Sequence, residues 1–325
     1  MLIGNEKLGA FIVPTGIAAS IGGYAGDASP YAKKFSEKCT LIVNPNVVNA
    51  GGFSGINDKM LYVEGFSLDE FFKGNIALKP SLGNKIGVIF DKAIPEHILN
   101  VHINTINAVK AVYGIDIPFW QITEENVGVK FKTEDNGIST GGIKNPETLL
   151  IAAKLLIEKG AEALAMVCMF ENPEDINPDY KDGIGVDPVG GVEAIISHYI
   201  SKELKVPCAH APAFDDLEIT TDLIDGKSAS EYITPTFLPC ILLGLNKAPK
   251  IVKSNKGINI NNLDFLVMPY DSLGSTPVFE CVKRGITVYA VKENSTILNV
   301  TKEKICPKSK YIKEFEKYDD ILKIL

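Results

Sequence analysis

Residues Ala163–Met169 form an unbroken apolar run, and they follow a segment that opens on Asn145-Pro146-Glu147 and stops at Gly160. A capping asparagine with proline at the first helical position, then apolar side chains at Leu149, Leu150, Ala153, Leu155, Leu156 and Ile157, predicts a helix with a largely apolar face. The apolar run after it predicts a strand covered on both sides, because a strand with one solvated face alternates polar and apolar residues. Such a pair is stable only within a sheet flanked by helices.

The same alternation recurs along the chain. Short apolar strands are predicted at 8–13, 40–43, 60–63, 85–90, 206–208, 264–268 and 287–291, with an extended segment at 117–123. Helices are predicted at 31–38, 95–113, 192–204 and 277–284, the last stopped by Gly285, and a lysine-rich tail with a short helix covers 312–325. Residues 236–245 are apolar throughout and fit either a helix or a strand. The pattern predicts an α/β fold, a mainly parallel sheet or sheets with helices on both faces, arranged as two Rossmann-like lobes around a cleft. A glycine-, serine- and threonine-rich break near 135–142 divides an N-terminal lobe, 1–137, from a C-terminal lobe, 138–325, with one continuous domain as the alternative.

Composition narrows the partners. The chain has 325 residues and a net charge of -7, and Arg284 is its only arginine, so the basic footprint of a nucleic-acid binder is missing and no nucleic-acid partner is expected. The 6 cysteines are scattered with no CxxC pair, which fits a reducing compartment. The first residues, Met1-Leu2-Ile3-Gly4-Asn5-Glu6-Lys7, lack a basic region followed by an apolar stretch, and no apolar run is long enough for a membrane span. The expectation is a cytoplasmic protein with a small-molecule substrate and no membrane partner, a homo-oligomer being left open.

Two glycine-rich runs sit where strands should empty into helices. The first extends from Val13-Pro14-Thr15-Gly16 through Gly22-Gly23-Tyr24-Ala25-Gly26-Asp27, and the second is Gly185-Val186-Asp187-Pro188-Val189-Gly190-Gly191-Val192-Glu193. Thr15, Gly16, Gly22, Gly23, Gly190 and Gly191 would let backbone N–H groups approach an anionic ligand. The spacing is neither a Walker loop nor GxGxxG, so no nucleotide is specified. Asp27 either caps the following turn or acts on a ligand, and Asp187 and Glu193 either suit a helix N-terminus or handle protons. His198 lies about 140° around the helix from Glu193.

Cys208-Ala209-His210 is the sharpest chemical pair. On extended backbone, residues two apart point the same way, so an imidazole beside a thiol could generate a nucleophile, or His210 could act as a general base. The amides of Asn46 and Asn49, the carboxylate of Glu64 and the loop residues Asp271 and Ser272 complete the candidate substrate-binding set. No cofactor is predicted. A divalent metal held by His198, His210, Asp187 and Glu193 is the competing use of these groups, although no HExxH, CxxC or DxDxDG spacing supports it. The predicted function is an enzyme acting on a small polar, anionic metabolite by general acid/base or thiol chemistry. The alternatives are a non-catalytic metabolite-binding or scaffolding protein and a metal-assisted hydrolase or lyase.

Taken together, the glycine-rich runs, Tyr62-Val63-Glu64-Gly65, Ser197-His198, Pro207-Cys208-Ala209-His210-Ala211-Pro212 and Thr236-Phe237-Leu238-Pro239-Cys240 resemble the DUF3326 family. Its members are proteins of unknown function from cyanobacteria, plastid-bearing plants and some other bacteria. The resemblance covers nearly the whole chain and implies no particular reaction. It departs at one point: the family pattern His-Pro-Asn-Val is here Asn44-Pro45-Asn46-Val47, so no ligand role is placed on Asn44.

Overall fold

A computed structural model describes residues 6–171, 178–215, 217 and 219–325. The predicted strands assemble into two parallel sheets. The larger has six strands in the order Ile312–Phe315, Thr287–Val291, Phe265–Pro269, Leu8–Phe11, Thr40–Val43, Met60–Tyr62. The smaller has four, in the order Cys208–Ala213, Ala163–Met169, Ile86–Phe90, Phe119–Ile122. In the larger sheet the chain winds outward from Leu8–Phe11 to one side, then returns to pair Phe265–Pro269 against its other side. The seam between those two strands is therefore a topological switch point, and the crevice beyond their carboxyl ends is where such sheets bind ligands.

Several local expectations change. The strand expected at 206–208 is instead Cys208–Ala213, and Pro212 is tolerated there because the strand lies at the sheet's edge. The ambiguous 236–245 segment is helix Leu238–Asn246, with Leu238, Ile241, Leu242 and Leu245 buried. Residues 135–142, read as a break, belong to an antiparallel hairpin pairing Val129–Thr133 with Ser139–Ile143. The lysine-rich tail contributes Ile312–Phe315 as the outermost strand of the larger sheet.

Each sheet draws strands from both sides of residue 137, so the boundary between sheets is not a boundary in the sequence. The largest apolar cluster joins them: Phe11, Val43 and Phe265 of one sheet share it with Val88, Phe90 and Val167 of the other and with helix Leu238–Asn246. Burying a large apolar side chain stabilises by about 1.5–3 kcal/mol, so this shared core fixes the sheets against each other and, with them, the loops at their carboxyl edges.

Candidate functional site

A cavity of about 350 Å³ lies beyond the switch point, and both glycine-rich runs line it. Thr15, Gly23 and Tyr24 come from the first, and Asp187, Gly190 and Glu193 from the second. The hairpin joins the two runs through Ser139. Its N–H donates to the Gly16 carbonyl at 2.9 Å, its hydroxyl donates to the Pro188 carbonyl at 2.9 Å, and the hydroxyl accepts from the Gly191 N–H at 3.1 Å. The approach is close enough to require glycine: a Cβ at Gly16, where φ is +74°, would sit 3.0 Å from the Ser139 carbonyl oxygen, and one at Gly191 only 2.1 Å from the same atom. Ser139 has no motif around it, so sequence reasoning missed the residue that brings the runs together.

The predicted site residues Asp27 and Asn46, with their neighbour Asn44, build the loops. Asp27 accepts from the Gly22 N–H at 2.7 Å and the Tyr24 N–H at 3.4 Å, closing the first run as a cap, and it does not line the cavity. Burial nevertheless pushes its carboxyl up to about 6. Asn44 clasps the first strand's exit in both directions, its Oδ1 accepting from the Val13 N–H at 3.1 Å and its Nδ2 donating to the Val13 carbonyl at 2.8 Å. Asn46 donates to the carbonyls of Val13, Pro14 and Gly22. Both amides face the cavity, but their hydrogen bonds serve the backbone.

The cysteine–histidine pair separates. The Cys208 thiol lies outside the cavity and donates to the Val206 carbonyl at 3.3 Å; burial pushes its pKa well up, the opposite of an activated thiolate. Gly16, Gly22 and Gly191 shape the loops without lining the cavity, and Asp271 and Ser272 lie away from it. Asp271 accepts from the Thr296 N–H at 3.0 Å, and Ser272 donates to the Pro269 carbonyl. Further along, Ser275 and Pro277, at the start of helix Thr276–Arg284, do reach the wall.

His210 has a different partner. Its Nδ1 lies 3.3 Å from Glu193 Oε1, and its ring stacks on Phe170 with centroids 5.2 Å apart. Burial lowers its pKa to about 3, so the imidazole is neutral and the contact is a hydrogen bond and not an ion pair. Burial pushes Glu193 up to about 8. Asp187 is raised to about 7, by burial first and Glu193 second, against hydrogen bonds from the N–H groups of Val189 and Gly190. Glu231, on the short helix Ala229–Tyr232, is raised well above its usual range by burial and then by Asp187 and Glu193. Sequence reading missed Glu231 because no motif or periodic segment surrounds it.

Glu64 caps helix Gly65–Lys73, accepting from the N–H groups of Phe66 at 2.8 Å and Ser67 at 2.7 Å, and lies 3.9 Å from His198 Nε2. Helix Gly190–Leu204 packs against that helix, which explains how His198 reaches the wall despite its angle from Glu193. Asn49 donates to the Tyr62 hydroxyl at 3.2 Å, with both residues on the wall. In all, five carboxyl groups line the cavity, from Glu64, Asp69, Asp187, Glu193 and Glu231, with no lysine or arginine among the described lining residues. That is the reverse of the lining expected for an anionic ligand. Among the described residues, no group of three or more histidine, cysteine or acidic side chains is placed to hold a metal ion.

The model for a protein of unknown function, DUF3326, matches residues 9–321. The chain belongs to the DUF3326 family. An uncharacterised lipoprotein of Synechococcus sp. is 37% identical over 308 residues, covering 92% of this chain and 85% of that protein. No solved structure matches the chain. No helix among the described residues is long and apolar enough to cross a membrane.

Proposed function

We propose that this family member is an enzyme acting on a small polar metabolite by general acid/base chemistry in the cavity at the switch point. The observation that carries the reading is the Glu193–His210 contact on the cavity wall, a carboxyl group that holds its proton near neutral pH beside a buried neutral imidazole. A proton donor works best when its pKa is near the working pH. Glu193 delivers the proton, and the resulting carboxylate accepts a hydrogen bond from His210 Nδ1–H. Asp187, on the same wall and raised by burial and by Glu193, is the proton acceptor. Thiol chemistry is not part of this reading, because Cys208 lies outside the cavity.

The test is incubation of purified protein with fractionated cell extract in deuterated water, followed by mass spectrometry for consumed or labelled metabolites. Glu193→Gln is expected to reduce turnover by roughly 100-fold or more, while Cys208→Ala retains it. A wild-type protein that binds a metabolite but neither consumes nor labels it would sink the acid/base reading in favour of a binding protein.

For the compartment we propose the cytoplasm, supported by six unpaired cysteines, five of them buried. The relative's name, a lipoprotein, favours a membrane-tethered alternative. Recovery of the full chain in washed membranes after cell fractionation would decide for tethering.

A further inference from the structure

We infer that the cavity takes a ligand bearing a cationic nitrogen, a primary or secondary ammonium on a small polar skeleton; this rests on reading the cavity as the functional site and adds the class of its substrate. The wall presents five carboxyl groups and, among the described lining residues, no lysine or arginine. Its carboxyl groups come from separate parts of the chain, Glu64 and Asp69 beside the larger sheet, Asp187 and Glu193 from the second glycine-rich run, and Glu231 from a later helix. An ammonium group can meet these carboxyl groups in ionised form, its charge offsetting the burial that otherwise keeps Asp187, Glu193 and Glu231 protonated near neutral pH, whereas an anionic ligand would find no lysine or arginine among the described lining residues. A neutral hydroxyl compound offers no charge to pair with the carboxyl groups that ionise.

Two unpartnered atoms point the same way independently of the carboxyl groups. His210 is 5% exposed and lines the cavity, with Nδ1 against Glu193 and Nε2 lacking any hydrogen-bond partner. In the tautomer that donates Nδ1–H to Glu193, Nε2 is a bare acceptor. Asn49 gives its Nδ2 to Tyr62 and leaves Oδ1 unpartnered. An unsatisfied buried acceptor is destabilising, and such groups are rare without a role. An ammonium group supplies up to three N–H donors and a positive charge, matching both deficits at once.

The arrangement also separates an organic cation from a metal ion. A divalent cation needs several oxygen or nitrogen atoms converging within about 2.0–2.6 Å of one point, whereas the described carboxyl groups are distributed around the wall with no three placed for this. A molecule several ångströms long can meet separated carboxyl groups and the rings of Tyr24 and Tyr62, which also line the cavity.

The test is calorimetric titration of the full-length protein at neutral pH with ethanolamine and putrescine, against ethylene glycol, succinate, inorganic phosphate, magnesium and calcium. The expected result is saturable binding of at least one amine, at least 10-fold tighter than the glycol, and weakened at least 10-fold by Glu231→Gln and by Asp69→Asn, each checked for an intact thermal transition. The inference is overturned if neither amine saturates by about 10 mM, if succinate or phosphate binds more tightly, if the substitutions leave amine binding unchanged, or if magnesium or calcium binds through the same carboxyl groups and displaces the amine. Amine binding without any turnover would remove the acid/base reading and keep this one; turnover of an anionic metabolite would do the reverse.

Discussion

Gly191→Ala is expected to lower the melting temperature by about 4–5 °C, a loss of roughly 3 kcal/mol for a chain of this size. The new Cβ would lie 2.1 Å from the Ser139 carbonyl oxygen, 2.4 Å from its carbon and 2.7 Å from the Thr140 nitrogen. All three are backbone atoms of a paired strand, so no side-chain rotation relieves the contact. Moving the hairpin also breaks the Gly191 N–H to Ser139 hydroxyl bond, worth about 1 kcal/mol, and shifts the Ser139 N–H from the Gly16 carbonyl. The damage therefore spreads to both glycine-rich runs, and ligand binding should weaken with stability. Gly142→Ala is the control, on the same hairpin but with nothing within 4 Å of the added carbon. Scanning calorimetry that found the two variants equally stable would refute the proposed stitching role.

Stability should rise as pH is lowered from 8 towards 6, by an amount on the order of 2 kcal/mol. Burial, aided at Asp187 by Glu193, raises the folded-state values to about 8 for Glu193, about 7 for Asp187 and about 6 for Asp27, and raises Glu231 as well. Between their ordinary values and these raised ones, the folded state holds protons that the unfolded chain has released. The penalty is complete above the folded values and is relieved as pH falls through them. His210 works in the opposite sense at lower pH: its depressed value means that the unfolded chain binds a proton below about 6.5 when the folded state does not. Acidification below 6.5 therefore yields a smaller gain than the carboxyl groups alone would give. The figure is held low because Glu193 keeps 24% exposure and its desolvation is partial. Thermal melts from pH 8 to 5 measure the slope, and Glu193→Gln should flatten its upper part. A slope of unchanged size in that variant would show that Glu193 is not among the groups responsible.

The comparison of sequence with structure turns on the range of each interaction. Ala163–Met169 was legible because a fully covered strand must be apolar at every position, and helix Pro146–Glu158 because its start is written in adjacent residues. The glycine-rich runs were legible as loops for the same local reason. The roles of Asp27 and Asn46 were not legible, because a polar side chain in a loop looks alike whether it meets substrate or holds the backbone. Only their partners, Gly22 and Val13, distinguish the two. Cys208 and His210 do occupy alternate positions on one strand, but spacing of two assigns a common side and says nothing about what covers each position along it. The thiol met an apolar layer and the imidazole met Glu193.

The amino-acid sequence by itself determined the α/β class, the positions of most strands and helices, the two glycine-rich runs, and a family membership that covers residues 9–321. Those properties depend on periodicity, capping and backbone freedom over a few residues. Tertiary structure alone decided that both runs share one cavity, that Ser139 joins them, that Glu231 enters from a distant segment, and that the wall is acidic. Such outcomes follow from parallel sheets returning the chain to a switch point across hundreds of residues. Desolvation then gives carboxyl groups in that enclosed space proton affinities that none has in an extended chain.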